Sequence, residues 1–268
     1  MVARIAEIFG HPRPPEMVTE KYWDYDDDYF PRIAGEPWHV LTGDDLGGYI
    51  QGLGSGRSQP ELFNYLFPII LIRWWEGLMD QTETYWFSYS LANAWGIRTF
   101  ETIDEDRRGR VLEWIADAFI QAVDAWNGEA VDWRDQSRQT SLVPVFHDLT
   151  RDLPITKLLI SRLSEVSTLG RAKWWLVLGN AILASKSGPF APWNSVGKYQ
   201  KTHHGSDFGE VMRPIFTVEY LSMKLYESEL HFLPGFEYAR ARELQSQIGQ
   251  DMAQAERQVE SYLKACEN

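Results

Sequence analysis

The stretch KWWLVLGNAILA, Lys173 to Ala184, is apolar on nearly every side when wound as a helix. A helix from Arg171 to Ser185 built this way has no face to offer water. Other helices must cover it all round, so it belongs at the centre of a bundle. It is too short to cross a bilayer, as is LFPIILIRWW (Leu66 to Trp75), because a span needs about 20 predominantly apolar residues.

The rest of the pattern agrees with that demand. Val111, Leu112, Ile115, Phe119, Ile120, Val123 and Trp126 recur at three- and four-residue spacing, which predicts a helix from Asp104 until Asn127-Gly128 ends it. Val2 to Phe9 reads as a short amphipathic helix stopped by Gly10. Residues 16–41 read as irregular, with Pro31 and Pro37 breaking any long helix. Thr42 before GDDL has the form of an N-cap with acids in the first turn, starting a short helix to about Leu53. After the linker GLGSGRS, the Ser58-Gln59-Pro60-Glu61 start predicts a long helix to Met79, kinked at Pro68.

Residues 84–96 read as mostly helical, and a short helix is expected around 145–149. Pro154 opens another through Leu158, Leu159, Leu163 and Val166. Residues 207–226 read as one helix and 234–264 as a second, long one. The stripe Leu244, Ile248, Met252, Ala255, Val259 and Tyr262 on the latter fits docking onto the bundle or pairing with a second chain. No alternating run long enough for a sheet emerges. The expected class is all-α, a single-domain multi-helix bundle with residues 10–57 as an irregular acidic and aromatic segment packed on it.

Charge narrows the partners. Twenty-six basic against 38 acidic residues leave a formal charge of −12, so the average surface repels phosphate backbones and anionic lipid. Nucleic acid and membrane are unexpected partners, and a basic protein is the natural one. Cys266 is the only cysteine, which excludes an internal disulfide and CxxC-type zinc sites and points to a reducing compartment, the cytoplasm.

The densest functional signal is YWDYDDDYF, Tyr22 to Phe30. As a calcium loop, Asp24, Asp26 and Asp28 fit D-x-D-x-D. The sixth position is then Tyr29 where glycine is needed, and the twelfth is Gly35 where a bidentate Glu is needed. As a contact surface it is coherent: Asp24, Asp26, Asp27 and Asp28 offer carboxylates to arginines, while Trp23, Tyr25 and Tyr29 supply rigid area. A solvated loop whose rings pack on the core is the plain alternative.

Chemical motifs are otherwise incomplete. His203 and His204, near the end of the long segment KSGPFAPWNSVGKYQKTHHGS, and Asp207 just after it are of metal-ligating type, without H-E-x-x-H or an i, i+4 pair. His147-Asp148 is an acid–base pair by type only. GLGSG lacks the G-x-S-x-G register and the dinucleotide fingerprint. Nothing in the sequence activates Cys266, and no cofactor is expected.

The segments IFGHPRPPEMVTE, WHVLTGDDL and PELFNYLFPIIL, with an acidic stretch after the first, resemble a group of uncharacterised bacterial helical proteins with an N-terminal His-Pro-Arg-Pro segment. The likeness covers about the first eighty residues. It implies a bacterial cytosolic helical protein and carries over no functional residue.

The function expected from these readings is a non-enzymatic protein-binding protein, concretely an immunity protein neutralising a basic bacterial toxin, monomeric or dimeric through the C-terminal helix. The alternative is an all-α metal-dependent hydrolase using residues 186–207.

Overall fold

The computed structural model describes residues 1–21, 27–52, 59–80, 103–126, 142–183 and 207–267. Twelve α-helices and no strand occur among them, so the chain is all-α. The expected helix over 84–96, the linker at 53–57 and the segment 186–206 lie outside the described residues. Packing divides the chain into two compact units, Met1–Phe119 and Ile120–Asn268.

In the first unit, α1 (Val2–Phe9) buries Ile5 and Ile8 and stops at Gly10, whose φ of 69° is one that glycine adopts without a Cβ penalty. Helix α2 (Tyr29–Gly35) forms where the sequence reads as irregular. Its proline does not forbid it: Pro31 is the third residue, where the missing N–H is one that an α-helix leaves unpaired anyway. Phe30, Ile33 and Ala34 supply the buried face.

Helix α3 (Gly43–Gly52) begins at the expected cap. Thr42 Oγ1 accepts from the Asp45 amide at 3.2 Å, and Asp45 Oδ2 accepts from the Thr42 amide at 3.0 Å, a reciprocal box that satisfies two terminal donors. Helix α4 (Pro60–Met79) places Pro60 at its first position and accommodates Pro68 inside. Its cap comes from far upstream. Buried Glu20 accepts the Gln59 amide at 2.7 Å, setting a carboxylate at the positive helix end.

Helix α5 (Glu105–Asp124) starts where expected, with Asp104 Oδ1 accepting from the Arg107 amide at 2.9 Å. Within the first unit, Trp114 of α5 is fully buried, 6.5 Å from Trp74 between ring centres, and donates to Met1 O at 3.1 Å. Arg4 bonds Asp117 at 2.6 Å and Arg110 donates to Glu7 O at 3.1 Å, so α1 is tied to α5 at three points.

The second unit holds α6 (Leu142–Asp152), α7 (Thr156–Leu163), α8 (Leu169–Leu183), α9 (Phe208–Met212), α10 (Val218–His231), α11 (Gly235–Gln250) and α12 (Met252–Glu267). Helix α8 is the apolar helix of the sequence, with eleven of its fifteen residues buried. Helices α6, α10, α11 and α12 all pack on it. Trp174 lies 4.8 Å from Trp175 and 5.3 Å from Phe146 between ring centres, in edge-on arrangements that suit the ring quadrupoles.

Two long helices of the sequence reading are each two shorter ones. The run 207–226 breaks at 213–217, where Pro214 cannot continue a helix, and Thr217 Oγ1 caps α10 by accepting from Tyr220 N at 3.2 Å. The run 234–264 breaks at Asp251, which leaves helical geometry at φ −144°, ψ 77° and caps α12 by accepting from Gln254 N at 2.9 Å. A short polar side chain competing for backbone donors favours a cap over a helix interior. Ala241, Leu244, Ile248, Ala255, Val259 and Tyr262 are buried and Met252 is exposed, so the stripe docks within its own unit.

Buried polar pairs fix how α11 lies on α8. Lys173 faces Glu237 at 3.7 Å, and Asn180 Oδ1 accepts from Arg240 at 2.9 and 2.6 Å. Rising numbers match rising numbers, so the two helices run parallel. At the start of α8, Arg171 forks onto Asp124 at 2.8 and 3.0 Å and also donates to Arg162 O. A Cβ on Gly170 would stand 1.8 Å from Val123 O, so only glycine fits where α8 meets the end of α5.

Gly170→Ala must push these backbones apart, and we expect urea denaturation to show a loss of about 3 kcal/mol or more. Gly109, exposed inside α5 with no atom near its missing Cβ, is the control: Gly109→Ala should gain about 0.5–1 kcal/mol through helix propensity.

Candidate functional site

The acidic face lies at the entrances of α2 and α3. Asp27 is highly exposed and pairs with exposed Lys21 at 2.8 Å. Asp28 directly precedes α2 and is exposed, with no side-chain capping bond. Asp44 is exposed in the first turn of α3. Asp45 is committed internally: Thr42 holds its carboxyl below the usual carboxylate range through side-chain and backbone hydrogen bonds, and Arg32 approaches at 3.3 Å.

Tyr29 is partly buried. Its phenol donates to Asp45 O at 2.6 Å and accepts from Tyr49 N at 3.0 Å, which anchors α2 against α3. Of the residues read from sequence as a contact surface, Asp27, Asp28 and Tyr29 are described, and Trp23, Asp24, Tyr25 and Asp26 lie outside the described residues. Residues 29–35 of the calcium-loop reading are helical, a conformation unlike the open loop that wraps an ion.

Asp207 serves a structural purpose. Its two carboxylate oxygens accept the Thr156 and Lys157 amides at 2.9 and 3.1 Å, so it caps α7 from about fifty residues away, where a negative charge suits the helix start. His203 and His204 lie outside the described residues. Among the described residues no group of three or more His, Cys, Asp or Glu is placed to hold a metal, and no described helix is long and apolar enough to cross a membrane.

One juxtaposition escaped the sequence reading. Cys266, on the last turn of α12, places its sulfur 3.7 Å from His147 Nδ1 on α6, and the Tyr262 ring lies 5.5 Å from the imidazole. His147 Nε2 is sealed from solvent. Burial, reinforced by Arg151, lowers the imidazole pKa to about 3, and burial with Cys266 nearby raises the Tyr262 phenol well above its usual value. Asp148 turns to Arg151 at 3.3 Å. The thiol–imidazole contact and the Tyr262 ring beside it join α6 to α12. Only the folded chain brings residues 119 positions apart together.

No protein-family model, no curated protein and no solved structure matches this chain.

His147 gives a pH signature. Its folded pKa lies below the ordinary 6.5, so the unfolded chain binds the extra proton, and the stabilisation is full above 6.5 and falls as pH drops toward 3. Relative to His147→Gln, the native chain should lose roughly 1–2 kcal/mol between pH 6.5 and 5, read by denaturation midpoints at each pH.

Proposed function

We propose that this chain is a non-enzymatic protein-binding protein whose acidic face at the starts of α2 and α3 receives a basic protein. The supporting observation is the pair Asp28 and Asp44. Both are exposed, and no described cation forms an ion pair with either, while their neighbours Asp27 and Asp45 are matched by Lys21 and Arg32. Exposed carboxylates of this kind speed encounter with a positive surface and accept bidentate contacts from arginine. The formal charge of −12 adds a net negative field at long range. Neutralisation of a basic toxin, as an immunity protein performs it, is the concrete form of this reading.

The immobilised chain, challenged with the basic protein fraction of its source cell, should retain a partner at low salt and release it as salt rises. Asp28→Asn combined with Asp44→Asn should weaken that partner's affinity about tenfold, or 1.4 kcal/mol. Unchanged affinity would remove this face from the interface.

A further inference from the structure

The outward face of α10 is apolar where a helix exposed on one side is normally polar. Met223, Tyr226 and Leu230 are 44, 52 and 55% exposed, while Val218, Leu221, Leu225 and Ser228 form the buried side. Tyr238 of α11, 39% exposed, extends the patch. Arg242 stands 5.9 Å from its ring centre and reaches Glu229 at 3.5 Å, and Glu229 is next to Leu230 and one turn from Tyr226. These four side chains expose on the order of 400 Å², within the range of the largest functional patches on monomeric proteins.

The electrostatics select the occupant. Most acids bordering the patch are matched inside the chain: Glu227 by Lys224, Glu229 by Arg242, Glu237 by Lys173 and Glu243 by Arg240, while exposed Glu219 sits in the first turn of α10, at the positive helix end. In a molecule of charge −12 this surface is close to neutral, so it offers little to a basic protein, and two copies can meet on it with little like-charge repulsion. The spacing sets the register in which two copies would meet. Met223 and Leu230 lie equally far on either side of a point between Tyr226 and Glu227. A twofold axis through that point, with the helices antiparallel, sets each Met223 against Leu230 of the other copy and brings the two Tyr226 rings together on one side of the axis and the two Glu227 carboxylates, each held by its own Lys224 at 2.8 Å, on the other. It also brings Glu219, in the first turn of α10, within about a turn of His231 at the end of the opposite helix.

We propose that this face is an isologous interface between two copies of the chain, built on antiparallel α10 helices flanked by α11. A standard interface covers about 800 Å² per partner, of which about 60% is apolar, so the patch supplies most of the apolar core that a dimer needs. This face uses residues of α10 and α11 alone and does not depend on the acidic residues of α2 and α3. It also differs from pairing through the C-terminal helix, whose apolar stripe is consumed inside its own unit.

Sedimentation equilibrium on the full chain up to about 100 μM should give twice the chain mass. Leu230→Glu, at an exposed position, should leave the circular dichroism unchanged and weaken association at least tenfold. Adding Met223→Lys to Leu230→Glu should restore it, because the antiparallel register sets those positions against each other, while seven residues apart on one helix they do not pair. A monomeric native chain, a dimer indifferent to Leu230→Glu, or a double variant that stays monomeric would each overturn the proposal.

Discussion

A helix that cannot face water on any side imposes a packing problem that the rest of its unit solves. Trp174, Trp175, Leu176, Leu178, Ile182 and Leu183 of α8 are all buried, and each large side chain contributes on the order of 1.5–3 kcal/mol when it leaves water. Covering them requires neighbours on every side. α6, α10, α11 and α12 provide these, with Gly179 holding Leu225 of α10 close enough that a Cβ there would lie 3.1 Å from its methyl group. Remove the central helix and its neighbours expose their own buried faces.

Apolar area alone does not fix how the helices align, because it is indifferent to small slides. Direction and register come from polar groups placed within the apolar contact. The Lys173–Glu237 pair and the Asn180–Arg240 bonds hold α11 parallel to α8. Gln247 and Gln258, from two different helices, both donate to Leu183 O, at 2.9 and 2.8 Å, and so satisfy a carbonyl at the end of α8. Buried ion pairs add little net stability because desolvation offsets their attraction, yet leaving one partner alone is costly. Their effect here is to make shifted packings expensive.

The same internal matching shapes the surface. Glu227 and Glu229 beside the exposed face of α10 are matched within the chain, whereas Asp28 and Asp44 stand exposed with no described cation paired to them. Two surfaces of one acidic molecule therefore differ in what they favour. One is near-neutral and apolar, and the other is charged and hydrated. The first suits the proposed pairing with a copy and the second the proposed basic partner, because association tolerates apolar area wherever charge does not repel and gains from carboxylates only where a cation arrives.

Much of the architecture was legible along the chain, since periodicity and capping are local. The apolar α8, the three- and four-spaced α5, the Thr42 cap, the proline start of α4 and the Gly10 stop are all local signals. Where local signals competed, the folded chain decided. Pro31 was compatible with a first turn once Phe30 and Ile33 had a core to enter, and Pro214 and Asp251 divided runs whose periodicity looked continuous. Of the acidic face, the charge was evident in sequence, but the inward use of Tyr29 and Asp45 was not. What no local pattern encodes is which distant groups meet: Glu20 on Gln59, Asp207 on the start of α7, Asp124 on Arg171, Cys266 beside His147. Sequence alone determined the helical class, through the spacing of apolar side chains. Tertiary structure decided partners and burial, because contact energies depend on distances that only the closed chain sets.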